Sequence, residues 1–258
     1  MVRLWIDTDV LPNPDDAVAL LAATAHSEID LVGISVVGDD PGIRATRARK
    51  LLAAGSDACI PVATTGLEQA CRDADPDLIL AIGPLTNIAE LAAGTTVPVV
   101  AMGGLLRPRE HRGRLRRVES NFAADPRAAA GLLASSGSVT IVTLDATAGT
   151  ALSGAEVGEL LALAPSLGPF VEPWPHPVHL HDPAALLVAA GEDGRLGARR
   201  QWRRLAVEAD GRLVDHPGGT PRPLITTLHA GAVGRRVIDV LAHTGRTGHR
   251  APRRPSST

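Results

Sequence analysis

Apolar, β-branched runs alternate along this chain with stretches whose apolar residues recur at helical spacing. Val2–Ile6, Ile29–Val37, Asp77–Ile82, Val97–Met102 and Ser138–Leu144 read as strands. Helical patterns run from Pro14, over Pro41–Ala54, Leu85–Ala93, Asp125–Ala134 and Ala155–Leu163. Further on, a helix is expected from about Asp182-Pro183. Strands are expected at Arg204–Glu208 and Pro223–Leu228, and a last helix over Ala232–Ala242. Strands alternating with helices imply βαβ units, hence an α/β fold with an open, mainly parallel sheet and helices on both faces. In such sheets ligands bind outside the carboxyl ends of the strands. Polar residues and glycines fall at those ends: Asp7 and Asp9, Asp39 and Asp40, Gly83, Gly103 and Gly104, and Asp145. The Arg- and Gly-rich stretch Arg107–Arg117 is too polar for core and reads as a loop that could act as a mobile lid.

Composition narrows the field. At 258 residues the chain can bury a large core, and residues 1–243 are expected to form a single domain. The Arg/Pro-rich tail 244–258 lacks periodicity and is expected to be disordered. A net charge of −2 and only 2% aromatics argue against nucleic acid or an anionic membrane as partner. Cys59 and Cys71 match no redox or metal spacing. There is no signal-peptide pattern and no apolar run long enough to span a bilayer, so a soluble, cytoplasmic protein is the default expectation.

The most informative chemistry lies at the start. Asp7, Asp9, Asp15 and Asp16 cluster where the first strand meets the first helix. Asn13 suits an N-cap, Pro14 the first helical position, and acids in the first turn suit the helix dipole. Capping alone accounts for one or two acids. Four packed together repel unless a cation or shared proton relieves them, and a hard, oxygen-bound divalent cation is the natural relief. His176, His179 and His181 raise the alternative of a transition-metal site, which the neighbouring acids disfavour.

Several segments together resemble the inosine–uridine preferring nucleoside hydrolases, the calcium-dependent N-ribohydrolases. They are Asp7-x-Asp9 with Asp15-Asp16, Val36-Val-Gly-Asp39, Ile82-Gly-Pro-Leu-Thr-Asn-Ile-Ala89, Met102-Gly-Gly104, Glu119-Ser-Asn121-Phe-x-x-Asp125-Pro and Leu180-His181-Asp182-Pro183. They occur in the family's order from Val2 to about Ala242. The resemblance implies a Rossmann-like sheet that splits an N-glycosidic bond with water. It implies Ca2+ held by Asp9, Asp16, Asp182 and the main-chain carbonyl of Ile82. It implies Asp9 as the base that activates water and His181 as proton donor to the leaving base. Asp15 and Asp182, helped by Asp39, would hold the ribose 2′- and 3′-hydroxyls; Glu119 and Asn121 the 5′-hydroxyl; Met102 would lie against the sugar. It also implies a nucleoside or related riboside as substrate and a homodimer or homotetramer.

The chain departs from the family in three places. The Asp7–Asp16 loop lacks the usual Gly and carries the longer Leu11-Pro-Asn-Pro14 segment. The stretch between Thr65 and Asp77 is short and has no His-Gly motif, and Gly113 falls near the place of an Asn expected before Glu119. Two other readings compete. Asp7-Thr-Asp9-Val-Leu also looks like the opening of a magnesium phosphohydrolase of the haloacid-dehalogenase type, although Lys50 is poorly placed to serve a phosphate. A degenerate member that binds a ribosyl compound without turnover is the other.

Overall fold

The computed structural model describes residues 1–244 apart from 12, 57–58, 94–95 and 112, and the tail expected to be disordered lies outside the described residues except for Thr244. The strands are β1 (Val2–Thr8), β2 (Ile29–Val36), β3 (Val62–Ala63), β4 (Leu78–Ala81), β5 (Val99–Met102), β6 (Arg109–His111), β7 (Arg114–Arg116), β8 (Val139–Val142), β9 (Arg199–Val207), β10 (Leu213–Asp215) and β11 (Thr220–Thr227). The helices are α1 (Pro14–Ala25), α2 (Pro41–Gly55), α3 (Leu67–Ala74), α4 (Thr86–Ala93), α5 (Ser120–Ala124), α6 (Pro126–Ala134), α7 (Leu144–Thr147), α8 (Gly154–Leu163), α9 (Gly168–Val171), α10 (His181–Ala189) and α11 (Ala230–Thr244).

Among the described residues, nine strands form one sheet in the order β10-β9-β11-β8-β5-β4-β1-β2-β3. From β11 to β3 every pairing is parallel; only β9 runs antiparallel, against both β10 and β11. The strands are apolar throughout because both faces are covered. Leu4 and Ile6 face a core shared with Val18, Leu20, Ile34, Leu80, Leu186 and Val237. Trp5 faces the opposite core with Ile79, Ile88, Phe122, Leu132 and Ile141. The Trp5 ring lies over Gly33 on β2, where an added Cβ would fall 2.2 Å from the ring; the β1–β2 register shifts beside it. At the carboxyl end of β1 a buried chain of hydrogen bonds runs from Trp5 Nε1 to Ser35 Oγ (3.0 Å) and from Ser35 to Asp7 Oδ1 (2.5 Å), with Asn87 Nδ2 donating to the same oxygen (2.8 Å). Burial pushes the Asp7 carboxyl up to about 7.

Two sequence expectations change, and one short stretch gains a helix. Arg107–Arg117 is not an open loop: β6 and β7 form a two-stranded hairpin within it. Strand β9 begins at Arg199, ahead of the expected Arg204; β10 pairs only with its last three residues, which leaves its early arginines along an open stretch of the sheet. Helix α3, with Cys71 as its buried residue, occupies the short stretch before Asp77. No helix among the described residues is long and apolar enough to cross a membrane.

Candidate active site

Two helix N-termini converge at the carboxyl edge of the sheet. Asn13 caps α1 by position, without a side-chain cap bond, and Pro14 occupies N1. Asp15 and Asp16 follow in the first turn and are each only 3% exposed. The first turn of α10 supplies His181 and Asp182, also buried. Oxygens of Asp15, Asp16 and Asp182 lie within 4.8 Å of one another. Among the described residues this is the one such grouping of His, Cys, Asp or Glu side chains that could hold a metal ion. The three-His alternative therefore has no support: His176 packs edge-on against Trp174, and His179 stacks on His181 at 5.2 Å.

Burial, compounded by neighbouring carboxylates, raises the pKa of Asp16 and Asp182 well above the usual carboxylate range. Thr8 Oγ1 donates to Asp16 Oδ1 at 2.5 Å and opposes the shift at Asp16. Both helix dipoles favour anions here, but each offers only about half a unit charge. Desolvated carboxylates massed in this way call for a cation, and an all-oxygen donor set fits a hard divalent ion.

Asp9 lies beside the cluster at the end of β1. Burial raises its carboxyl to about 6 against the opposing charge of Arg44. Arg44, on α2, straps this loop. It donates to the carbonyl oxygens of Asp9, of Leu11 (2.9 Å) and of Asp39 (2.8 Å). Leu11 is held at φ 141°, a conformation costly for a side chain with a Cβ, at a loop that lacks glycine. Gly83 lets the Ile82–Gly83 turn approach: a Cβ there would lie 2.9 Å from Asp9 N and 3.1 Å from its carboxylate.

The cleft over the cluster is lined by Asp9, Asn13, Asp15, Asp16, Asp182 and His181, and by Ile82, Met102, Glu119 and Asn121. Arg116, Val118, Ser120 and Leu144 complete it. Glu119 is the N-cap of α5. Its carboxylate accepts from the backbone N–H groups of Asn121 (2.9 Å), Phe122 (3.1 Å) and Gly104 (3.1 Å), yet burial still raises its pKa. Asn121 Nδ2 donates to the carbonyls of Ile82 (3.2 Å) and Met102 (3.1 Å). His181 Nδ1 is 2.8 Å from Thr147 Oγ1, which fixes the ring.

The structure thus brings together Asp9, Asp15, Asp16, Ile82, Met102, Glu119, Asn121, His181 and Asp182. It does not bring in Asp39, which is exposed and absent from the cleft lining; it meets the site only through its main-chain bond to Arg44. The cluster pairs Asp15, rather than Asp9, with Asp16 and Asp182. Thr8, Arg44, Arg116 and Thr147 were not anticipated, and Asn13, expected only as a helix cap, also lines the cleft. Lys50 is exposed on α2 and outside the cleft, so it does not serve a phosphate there.

A mainly parallel α/β sheet with a buried, oxygen-rich cleft at its carboxyl edge defines the class. The sequence model of the family described as inosine-uridine preferring nucleoside hydrolase matches residues 67–247. The chain belongs to this family and is thereby a nucleoside N-ribohydrolase by class. The matched span contains the Ile82, Met102, Glu119 and His181-Asp182 motifs; the N-terminal acids lie ahead of it. The chain is similar to the solved inosine-uridine preferring nucleoside hydrolase of Bacillus anthracis, with 18% identity and TM-score 0.77 over 94% of this chain and 100% of that one. It is similar to a plant nucleoside hydrolase, with 18% identity and TM-score 0.77 over 93% and 98% of the two chains. A purine-preferring ribonucleoside hydrolase from Gardnerella vaginalis matches with 20% identity and TM-score 0.71 over 93% and 99%. No curated protein matches the chain.

Proposed function

We propose that this protein hydrolyses the N-glycosidic bond of a ribonucleoside or related N-riboside with the help of a calcium ion. The observation that carries the reading is the convergence of Asp15, Asp16 and Asp182 from two helix N-termini beside Asp9, within 4.8 Å of one another. Asp16, Asp182 and Asp9, with the Ile82 carbonyl, are the proposed ion ligands, and Asp15 is close enough to share the work. A bound calcium ion would supply a site for sugar hydroxyls and lower the pKa of water.

The chain's own residues do the rest. Asp9 removes a proton from the attacking water. Asp15 and Asp182 accept hydrogen bonds from the ribose 2′- and 3′-hydroxyls. The surrounding carboxylates stabilise the oxocarbenium-like charge that develops at C1′. His181, oriented through Nδ1 by Thr147, donates a proton to the departing base from Nε2. Asn121 and Glu119 bound the 5′ side of the sugar. Met102 lies against its ring.

The test is to incubate the purified protein with calcium and a panel of nucleosides and measure free ribose, with and without chelator. Chelator-sensitive ribose release is expected. Ligand binding with no product would replace this reading with a non-catalytic binder, and phosphate released from sugar phosphates would replace it with a phosphohydrolase. A calorimetric calcium titration locates the ion: Asp16→Ala should bind far more weakly, and equal affinity would remove Asp16 from the ligand set.

A further inference from the structure

The β6–β7 hairpin brings to the cleft one charge, Arg116, that a plain nucleoside would not use, and sets Arg109 behind it. Directly opposed residues of an antiparallel pair project from the same face, and Arg109 stands opposite Arg116. Like charges so placed repel. No carboxylate relieves them: among the described residues neither arginine forms an ion pair. Arg109 Nη1 donates to the carbonyls of Asp145 (2.9 Å) and Leu144 (3.4 Å), which anchors it under the cleft wall. Its Nε is buried without an acceptor. Arg116 is half-buried and lines the acidic cleft next to Val118, Glu119 and Asn121. Glu119 does not pair with it, because its oxygens take the backbone N–H groups of Gly104, Asn121 and Phe122.

The Arg116 guanidinium, held in the cleft with no carboxylate paired to it, suits the tetrahedral oxygens of a phosphate. We infer that this rim binds a 5′-phosphate, so that the preferred substrate is a 5′-phosphorylated N-riboside. The inference rests on the N-ribohydrolase reading above. A ribose whose vicinal hydroxyls meet the acid cluster has two substituents left. The base lies toward His181, and C5′ lies toward Asn121 and the hairpin. The reaction is then hydrolysis at C1′: water adds, the C–N bond breaks, its electron pair leaves with the base nitrogen, and that nitrogen gains the proton. The phosphate ester stays intact and ribose 5-phosphate is released.

The experiment compares inosine with inosine 5′-monophosphate, and uridine with uridine 5′-monophosphate, on the calcium-loaded protein. Free base, free phosphate and ribose 5-phosphate are all measured. The monophosphates should be favoured at least about tenfold in kcat/KM, from one to two charge-assisted hydrogen bonds. Arg116→Gln should collapse that preference mainly through KM, and Arg116→Lys should restore part of it. A nucleoside cleaved as well as its monophosphate, or a preference untouched by Arg116→Gln, overturns the inference and leaves the hydrolase reading standing. Free phosphate as the first product also overturns it. If no riboside is cleaved the hydrolase reading fails, and calorimetry with ribose 5-phosphate and ribose decides the rim separately. Binding of ribose 5-phosphate about tenfold or more tighter than ribose, lost in Arg116→Gln, upholds the rim as a phosphate site. Equal binding of the two sugars disposes of it.

Discussion

Asp9 sits under opposed influences: burial lifts its carboxyl, while the Arg44 charge holds it down. It borders the acid cluster without being one of its three members. That is the place for a group that handles a proton beside an ion. Asp9→Asn should therefore cut turnover roughly 10²–10⁴-fold, the loss expected for a general base, and weaken calcium binding as well. Kinetics at saturating calcium check this, and near wild-type turnover would remove the role. His181 is a different case, since its Nδ1 is committed to Thr147 and only Nε2 can serve a leaving group. His181→Ala should lower turnover on natural nucleosides by about 10²-fold or more. On p-nitrophenyl riboside, whose leaving group departs unaided, the loss should be small. Equal losses on both substrates would make the ring a packing element. Arg44 shows what spacing conceals. Nothing in Pro41–Ala54 marks it, and its role arises only when α2 folds back over the Asp9–Leu11 loop.

At the scale of elements, the parallel strands were legible because strands covered on both faces read as unbroken apolar runs. Asp125-Pro126 was legible because capping is local chemistry: Asp125 accepts from Ala128 N at 2.9 Å and Pro126 starts α6. Strand β3 is two residues long and carries no period. In β9 the run Arg199-Arg-Gln-Trp-Arg-Arg204 looks like solvated loop, because a strand at the sheet margin needs no continuous apolar face. The hairpin was hidden for the same reason. The nine cleft residues were legible because motif and sheet-edge position agreed, whereas Thr8, Thr147 and Arg116 reach the site through contacts that no local pattern encodes. Arg222 on β11 is a comparable case outside the site. Only 6% exposed, it donates to the carbonyls of Leu133 (2.9 Å), Gly137 (2.6 Å) and Ser135, closing the end of α6. Arg222→Met leaves those carbonyls buried without donors and should cost about 2–4 kcal/mol. Urea unfolding measures it, and a change under about 0.5 kcal/mol would mean water replaces the guanidinium.

Across the whole molecule, one network ties the far ends of two helices to the middle of a third. His26, after α1, meets Glu192, after α10, at 3.0 Å, and Arg236 of α11 grips the same carboxylate with two 2.6 Å bonds. Burial alone would raise the Glu192 pKa, but hydrogen bonds and charge from Arg236 and His26 outweigh it and the pKa is lowered. A lowered folded-state pKa means the native state binds fewer protons than the unfolded chain. The stabilisation is then present above the unfolded value and is lost as pH falls through the folded one. Glu192→Gln should be less stable than wild type near neutrality, with the gap narrowing below about pH 5. Urea unfolding between pH 4 and 7 follows it, and a gap constant with pH would assign the effect to packing. The ends of the nine-stranded sheet carry a different consequence. It stops at β3, two residues long, on one side and at β10, three residues long, on the other. Those margins offer a neighbouring chain few backbone rungs, and where β9 runs on beyond β10, at 199–203, its arginines put charge on the open stretch; both are ways proteins resist edge-to-edge aggregation. The architecture thereby discourages growth into a continuous intermolecular sheet.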